Sequence, residues 1–243
     1  MSNPMLRAVL FDIDDTLFDH RHSARVSLQM LQAEFPALAG VPIEVLELAH
    51  LEILNDVHDQ VLAGTITQEA ARENRFTMLL ARFGAECSAE ERSRIREAYR
   101  QSYRAARRAM DGVIPLLQEL HARGLKIGVI SNNLVEEQLD KLETCGLTGF
   151  IDSLTISEEA GMTKPDPRIF YLALERLGCA AEEVVMIGDA WQNDIVPARK
   201  LGMRTIWFNG YGLQSLDEGV PSLESFSDTN AALTLIIGEN GAD

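Results

Sequence analysis

Ala8-Val9-Leu10-Phe11-Asp12-Ile13-Asp14-Asp15-Thr16-Leu17 is the stretch on which the fold turns. Val9-Leu10-Phe11 is an uninterrupted apolar run, the pattern of a parallel strand buried on both faces. The run stops abruptly in an Asp-x-Asp-x-Thr turn, which packing alone does not explain. Asp12 and Asp14 lie two residues apart and point the same way if the chain stays extended. Two like charges at a buried strand end are costly unless a cation joins them. The simplest reading is a Mg²⁺ site with a carboxylate nucleophile.

Outward from this strand the chain has two textures. From 18 to 110 the pattern is helical, with helices predicted near 20–34, 43–62, 67–83 and 89–109. Ser88-Ala89-Glu90-Glu91 is a capping box that opens the last of them. From 111 onward strands and helices alternate. Strands are predicted at 126–130, near 153–155, at 184–187 and at 204–208, with helices near 113–122, 134–145, 167–177 and 193–201. Alternation of this kind makes a parallel sheet with helices on both faces. The strand at 7–12 belongs to that sheet by type. The expected fold is therefore α/β: a Rossmann-like core formed by 1–17 and 111–243, with an all-helical domain inserted at 18–110. In the tail after Tyr211 only 232–237 looks packed.

Bulk properties narrow the function classes. The 243 residues are 46% hydrophobic and 24% charged, enough for a sizeable core without staples. The formal net charge of -15 argues against nucleic acid or an anionic membrane as a main partner. Residues 18–110 carry 13 acids and 12 bases, and the remainder 24 acids and 10 bases. An acidic domain that binds a phosphate ester needs a metal and a local cation at its site. The lysines are Lys126, Lys141, Lys164 and Lys200, and the helical block has none. Cys87, Cys145 and Cys179 show no CxxC or Cys/His spacing and read as free thiols in a reducing cytosol. No signal-like or membrane-spanning apolar run is evident, so a cytoplasmic protein is expected.

Open parallel sheets build their sites at the carboxyl ends of strands, and the strands here end in polar chemistry. The first ends in Asp12 and Asp14, the second in Ser131-Asn132-Asn133, and the fourth in Gly188-Asp189 with Asp194 beyond it. Thr163-Lys164-Pro165-Asp166-Pro167 is a rigid loop that carries one lysine into a helix start. Each piece alone reads as a solvated turn or a cap. Together and in this order, they make a site.

This set resembles the motifs of the haloacid dehalogenase superfamily of phosphohydrolases. The first motif matches Asp12-Ile13-Asp14-Asp15-Thr16, the second Ser131, the third Lys164, and the fourth Gly188-Asp189 with Asp194. The resemblance implies Asp12 as nucleophile, forming an aspartyl-phosphate, and Asp14 as general acid and base. It implies Mg²⁺ held by Asp12, the main-chain carbonyl of Asp14, and Asp189, with Asp194 orienting Lys164 or a metal-bound water. Lys164 would contact both Asp12 and the phosphoryl oxygens, and Ser131 with its neighbour Asn132 would bind the phosphate. Thr16 is counted with the substrate side, where it shapes the turn under Asp14. The helical block would be a cap that selects the substrate and excludes water.

Within that superfamily the residues discriminate. Dehalogenases lack the second aspartate, and Asp14 is present. Phosphonate-cleaving members use a cap lysine, and 18–110 holds none. Hexose-phosphate mutases commonly read Asp-x-Asp-Gly-Val, whereas Asp14-Asp15-Thr16 favours a hydrolase. The segment 17–24 resembles the cap entrance of small pyrimidine and non-canonical 5'-nucleotidases, in which His20 and His22 could face substrate. The resulting expectation is a Mg²⁺-dependent phosphomonoesterase of small metabolites, with nucleoside monophosphates leading and a sugar-phosphate phosphatase or phosphomutase as the alternative. A phosphate-binding regulator without turnover is a third reading. Whether the chain is a monomer or a dimer stays open. His50 and His58 do not have HExxH zinc spacing and read as structural. The stripe Arg92, Arg96, Arg100, Arg104, Arg108 reads as solvated or interdomain.

Overall fold

The computed structural model describes residues 5–62, 64–86 and 88–238. The chain divides into two compact units, Met1–Asp19 with Arg108–Asp243, and His20–Arg107.

The first unit begins with β1 (Ala8–Phe11). The second follows in sequence with α1 (His20–Glu34), α2 (Ile43–Leu62), α3 (Gln68–Arg82) and α4 (Ala89–Ala105). The chain then continues the first unit through α5 (Val113–Ala122), β2 (Lys126–Ser131), α6 (Val135–Thr144), β3 (Ser153–Ile156), α7 (Ser157–Ala160) and α8 (Pro167–Leu177). It ends with β4 (Val184–Gly188), a π-helical turn at Trp191–Ile195, α9 (Val196–Lys200), β5 (Arg204–Phe208), β6 (Ser222–Leu223) and α10 (Thr229–Ile237).

The six strands form one sheet in the order β3-β2-β1-β4-β5-β6, and every pairing is parallel. β1 lies between β2 and β4, so all four of its residues are buried, as a two-sided strand requires. One face packs Leu10, Ile130 and Met186 against Ile169, Phe170, Ala173 and Leu177 of α8. Elsewhere in the unit Phe226 packs edge-on to Phe11 and is stacked on Phe208 with ring centroids 4.5 Å apart.

Three details correct the sequence reading. The helix expected to reach 109 stops at Ala105, because the returning chain pairs Ala109 with Phe18 and donates the Met110 N–H to the Leu17 carbonyl. The helix expected at 193–201 is a π-helical turn followed by the short α9. The tail packs earlier than its last turn: Val220 and Phe226 are buried, and β6 pairs with β5. A lone Phe between serines and a two-residue strand carry no periodicity from which to predict them.

In the helical unit the predicted capping box forms, and Thr67 caps α3 as well. The Thr67 hydroxyl accepts the Ala70 N–H, and Ser88 and Glu91 make both bonds of the capping box. The core gathers Leu28, Leu46, Ile53, Phe76, Leu79, Ile95 and Tyr99. His50 is 3% exposed, packs beside the Phe76 and Tyr99 rings, and its Nε2 has no hydrogen-bond partner. Burial, with help from Arg75 and His20, pushes its imidazole down to about 3, so it is a neutral core residue. The side chain of His58 lies outside the described residues, as does Cys87. Cys145 is a buried thiol and Cys179 a half-buried one. Among the described residues no helix is long and apolar enough to cross a membrane.

Candidate active site

The site grows from the end of β1. The Asp12 N–H still follows the sheet and donates to the Ile187 carbonyl at 3.0 Å. The chain then wraps around one carbonyl: Ile13 accepts the N–H groups of Thr16, Leu17 and Phe18 at 3.2, 2.9 and 2.9 Å. Asp15 permits the tight wrap with φ 58, a left-handed conformation that Asp tolerates better than β-branched residues.

The wrap sends the two carboxylates of the turn to different cations. Asp12 meets Lys164, whose Nζ donates to Asp12 Oδ1 at 2.6 Å, to Asp194 Oδ1 at 2.6 Å and to the Ile130 carbonyl at 3.2 Å. All three ammonium protons are thereby directed. Asp14 meets α6: Lys141 Nζ donates to its Oδ1 at 2.6 Å and Gln138 Nε2 to its Oδ2 at 3.0 Å.

The loop that delivers Lys164 is clamped by Asn132. The Asn132 Nδ2 donates to the Lys164 carbonyl at 2.8 Å, and its Oδ1 accepts the Lys164 N–H at 2.7 Å. Asn132, expected on the substrate, thus spends its amide on positioning the lysine's backbone. Thr16, also counted with the substrate side, is fully buried and accepts the Asp189 N–H at 3.1 Å. Trp207 Nε1 holds the Asp189 carbonyl at 2.8 Å. Ser131 lies at the end of β2, buried, with its Oγ accepting from Gln138 Nε2 at 2.8 Å.

Asp194 is reached through the π-helical turn, which brings it back under β4. Its Oδ2 accepts the Ala190 N–H at 3.1 Å. Gly188 makes room for it: a methyl group there would lie 2.4 Å from Asp194 Oδ2.

The carboxylates of Asp12, Asp189 and Asp194 each offer an oxygen within 4.8 Å of the others. The carboxylate of Asp14 is not in this group; the sequence reading gave it a metal role through its main-chain carbonyl. Three carboxylates facing one ammonium leave an excess negative charge. Burial pushes the Asp12 carboxyl up to about 7, against the lowering pull of Lys164, and Asp194 and Asp14 add to the rise. Burial likewise holds Asp189 well above the usual range, reinforced by Asp12, Asp194 and Asp15. Burial opposes the charge of Lys164, but Asp12 and Asp194 outweigh it and keep the ammonium charged. A hard divalent cation fits this donor set and supplies the missing positive charge. Both Asp194 oxygens are already committed, which leaves Asp12 and Asp189 as the side chains suited to hold it.

Residues 6–202 match the haloacid dehalogenase-like hydrolase family. The chain belongs to that family. Over 224 residues it is 31% identical to the glyceraldehyde 3-phosphate phosphatase of Methanopyrus kandleri, covering 90% of this chain and 93% of that protein. A phosphoserine phosphatase of Thermus thermophilus is 40% identical over 108 residues, covering 46% of this chain and 47% of that one. The magnesium-bound HAD-hydrolase YfnB from Bacillus subtilis superposes with a TM-score of 0.74 at 23% identity, covering 95% and 99% of the two chains, a likeness of fold. The chain is accordingly an enzyme, a phosphatase of the haloacid dehalogenase-like family.

Two residues of the site escaped the sequence reading, Gln138 and Lys141. A signal existed. The buried face of α6 is Gln138, Lys141 and Leu142, at helical spacing where a core-facing stripe should be apolar. The stripe of arginines resolves into surface pairs where it is defined: Arg96 bonds Glu73, and Arg108, beyond the helix, bonds Asp19. His20 bonds Tyr103 at 2.6 Å within the helical unit.

Proposed function

We propose that this phosphatase is a Mg²⁺-dependent phosphomonoesterase of small sugar-type phosphates, acting through an aspartyl-phosphate on Asp12. The observation that carries the reading is Lys164, a buried ammonium bonded at 2.6 Å to Asp12 and to Asp194 at the carboxyl end of the central strand. A carboxylate attacks a phosphate dianion only where the charges are neutralised, and such a lysine does that without solvent.

In the first step an Asp12 oxygen bonds to phosphorus, the bond to the ester oxygen breaks, and Asp14 gives the departing alkoxide a proton. In the second, water attacks the same phosphorus, Asp14 takes its proton, and Asp12 is released with inorganic phosphate. Lys164 balances charge on the phosphoryl oxygens, and Asp194 holds Lys164 in place. Because Gln138 donates to the Ser131 oxygen, the Ser131 hydroxyl proton is left to point at a phosphoryl oxygen. Asp12 and Asp189 would hold Mg²⁺ with the Asp14 main-chain carbonyl. When bound, Mg²⁺ neutralises phosphate charge and polarises the ester. The helical unit is read as the substrate-selecting cap, and the enzyme as cytoplasmic.

For substrate, the relatives named above are phosphatases of glyceraldehyde 3-phosphate and of phosphoserine. That supports the sugar-phosphate alternative over nucleoside monophosphates, for which a few residues at 17–24 were the sole support. Phosphate release should be measured with Mg²⁺ across triose, tetrose and pentose phosphates, phosphoserine and nucleoside monophosphates. Sugar phosphates are expected to give the highest kcat/KM. A nucleotide at the top would reverse the substrate assignment, and no release from any ester would sink the reading.

A further inference from the structure

Resting on that phosphatase reading, we propose that Lys141 and Gln138 are the positioning residues of the acid/base carboxylate, and that α6 exists in this form to aim Asp14. Each oxygen of Asp14 takes one of them: Oδ1 accepts from Lys141 Nζ at 2.6 Å, and Oδ2 from Gln138 Nε2 at 3.0 Å. A carboxylate bonded at both oxygens has a fixed plane. That fixes which lone pair can meet the leaving oxygen.

The chemistry of α6 points away from a packing role. Lys141 is 2% exposed and Gln138 is fully buried, on the one face of a ten-residue helix that should be apolar. Burying an ammonium costs hydration that an ion pair returns only with good geometry. An apolar residue of similar volume would hold α6 at least as well. Lys141 lies over the Phe18 ring at 5.2 Å, and its ion pair with Glu137 is long, at 3.9 Å against 2.6 Å to Asp14. Gln138 gives a second sign: its Oε1 is buried with no hydrogen-bond partner while its Nε2 serves two acceptors. An amide held with one end unsatisfied is held for what its other end does. That end joins Ser131 to Asp14, so the phosphate-side hydroxyl and the acid/base group move as one body.

No bond to Lys141 or Gln138 forms or breaks in this scheme. The proton passes from Asp14 to the leaving oxygen and later from water to Asp14. The role is therefore tested by leaving group. An alkyl phosphate needs the proton, whereas p-nitrophenolate leaves without one. In Lys141→Met, rapid-quench formation of phosphoenzyme from the best alkyl phosphate of the panel should fall about 100-fold, within the range of general acid catalysis. From p-nitrophenyl phosphate it should fall no more than about threefold, and KM should hold for both. Lys141→Arg, which keeps a cation, should recover part of the loss. Gln138→Met should show the same selectivity more weakly, and it carries the test if Lys141→Met does not fold. Equal losses on both esters, or none, in a folded variant would overturn the inference. Wild-type enzyme that releases no phosphate from any ester would instead overturn the phosphatase reading beneath it.

Discussion

The α/β unit buries two lysines, Lys141 and Lys164, each on a carboxylate of the same turn, whereas the helical unit contains no lysine and buries the neutral His50 beside aromatic rings. Both units thus hide polar groups from water, but by opposite routes. In the α/β unit the buried charges are paired and gathered at strand ends, where an apolar substitute would be simpler. In the helical unit His50 has lost its charge and packs as a hydrophobe. The difference teaches where function is stored. Changes to the first set should strike turnover before stability, and changes to the second should strike stability alone.

The sharpest test of that contrast is Asp12→Asn. Turnover should fall by about 10⁴-fold or more, the scale for a lost nucleophile, while the melting temperature moves by only a few degrees. Substantial residual turnover would move the nucleophile elsewhere. Next comes Gly188→Ala, where the added methyl would lie 2.4 Å from Asp194 Oδ2. Displacing Asp194 frees Lys164, so activity should drop about 100-fold alongside a stability loss of about 1–3 kcal/mol. Kinetics and thermal melts on the same sample would check both.

On the helical side, the His50 imidazole sits at about 3 in the folded protein against 6.5 in its ordinary state. Its folded value is depressed, so the unfolded chain binds the proton first. Stability is fully present above 6.5 and is lost as pH falls toward about 3. At pH 5 the loss should be about 2 kcal/mol. His50→Phe should flatten urea-melt stability between pH 7 and pH 5, with kcat at neutral pH unchanged; an undiminished acid slope would assign it to other groups. Smallest is Ser88→Ala, which removes the hydroxyl that accepts the Glu91 N–H and leaves the backbone bond of residue 88 to the Glu91 carboxylate in place. About 1 kcal/mol of stability should go, again with kcat unchanged.

What could be read from residues alone followed a physical line. The central strand was legible because four consecutive buried residues leave an apolar run, and Lys164, Asp189 and Asp194 because polar residues at strand ends have no packing excuse. Lys141 was not, since a lysine on a helix ordinarily reaches solvent and its partner lies 127 residues away. Asn132 and Thr16 were visible as polar groups near the site, but only geometry shows that their partners are the backbones of Lys164 and Asp189. β6 and Phe226 were too short and too isolated to leave a pattern.

The central place of β1 has a consequence for how the chain is made. Ala8 pairs with Lys126 on one side and with Val184 on the other. β1 therefore precedes both of its partner strands in synthesis and waits for pairing residues more than a hundred positions downstream. The helical unit, built from neighbouring helices within His20–Arg107, can condense long before then. Asp12 acquires its lysine only after Lys164, 152 residues further on, has emerged. A nascent chain truncated before β4 would lack one of the two strands that flank β1.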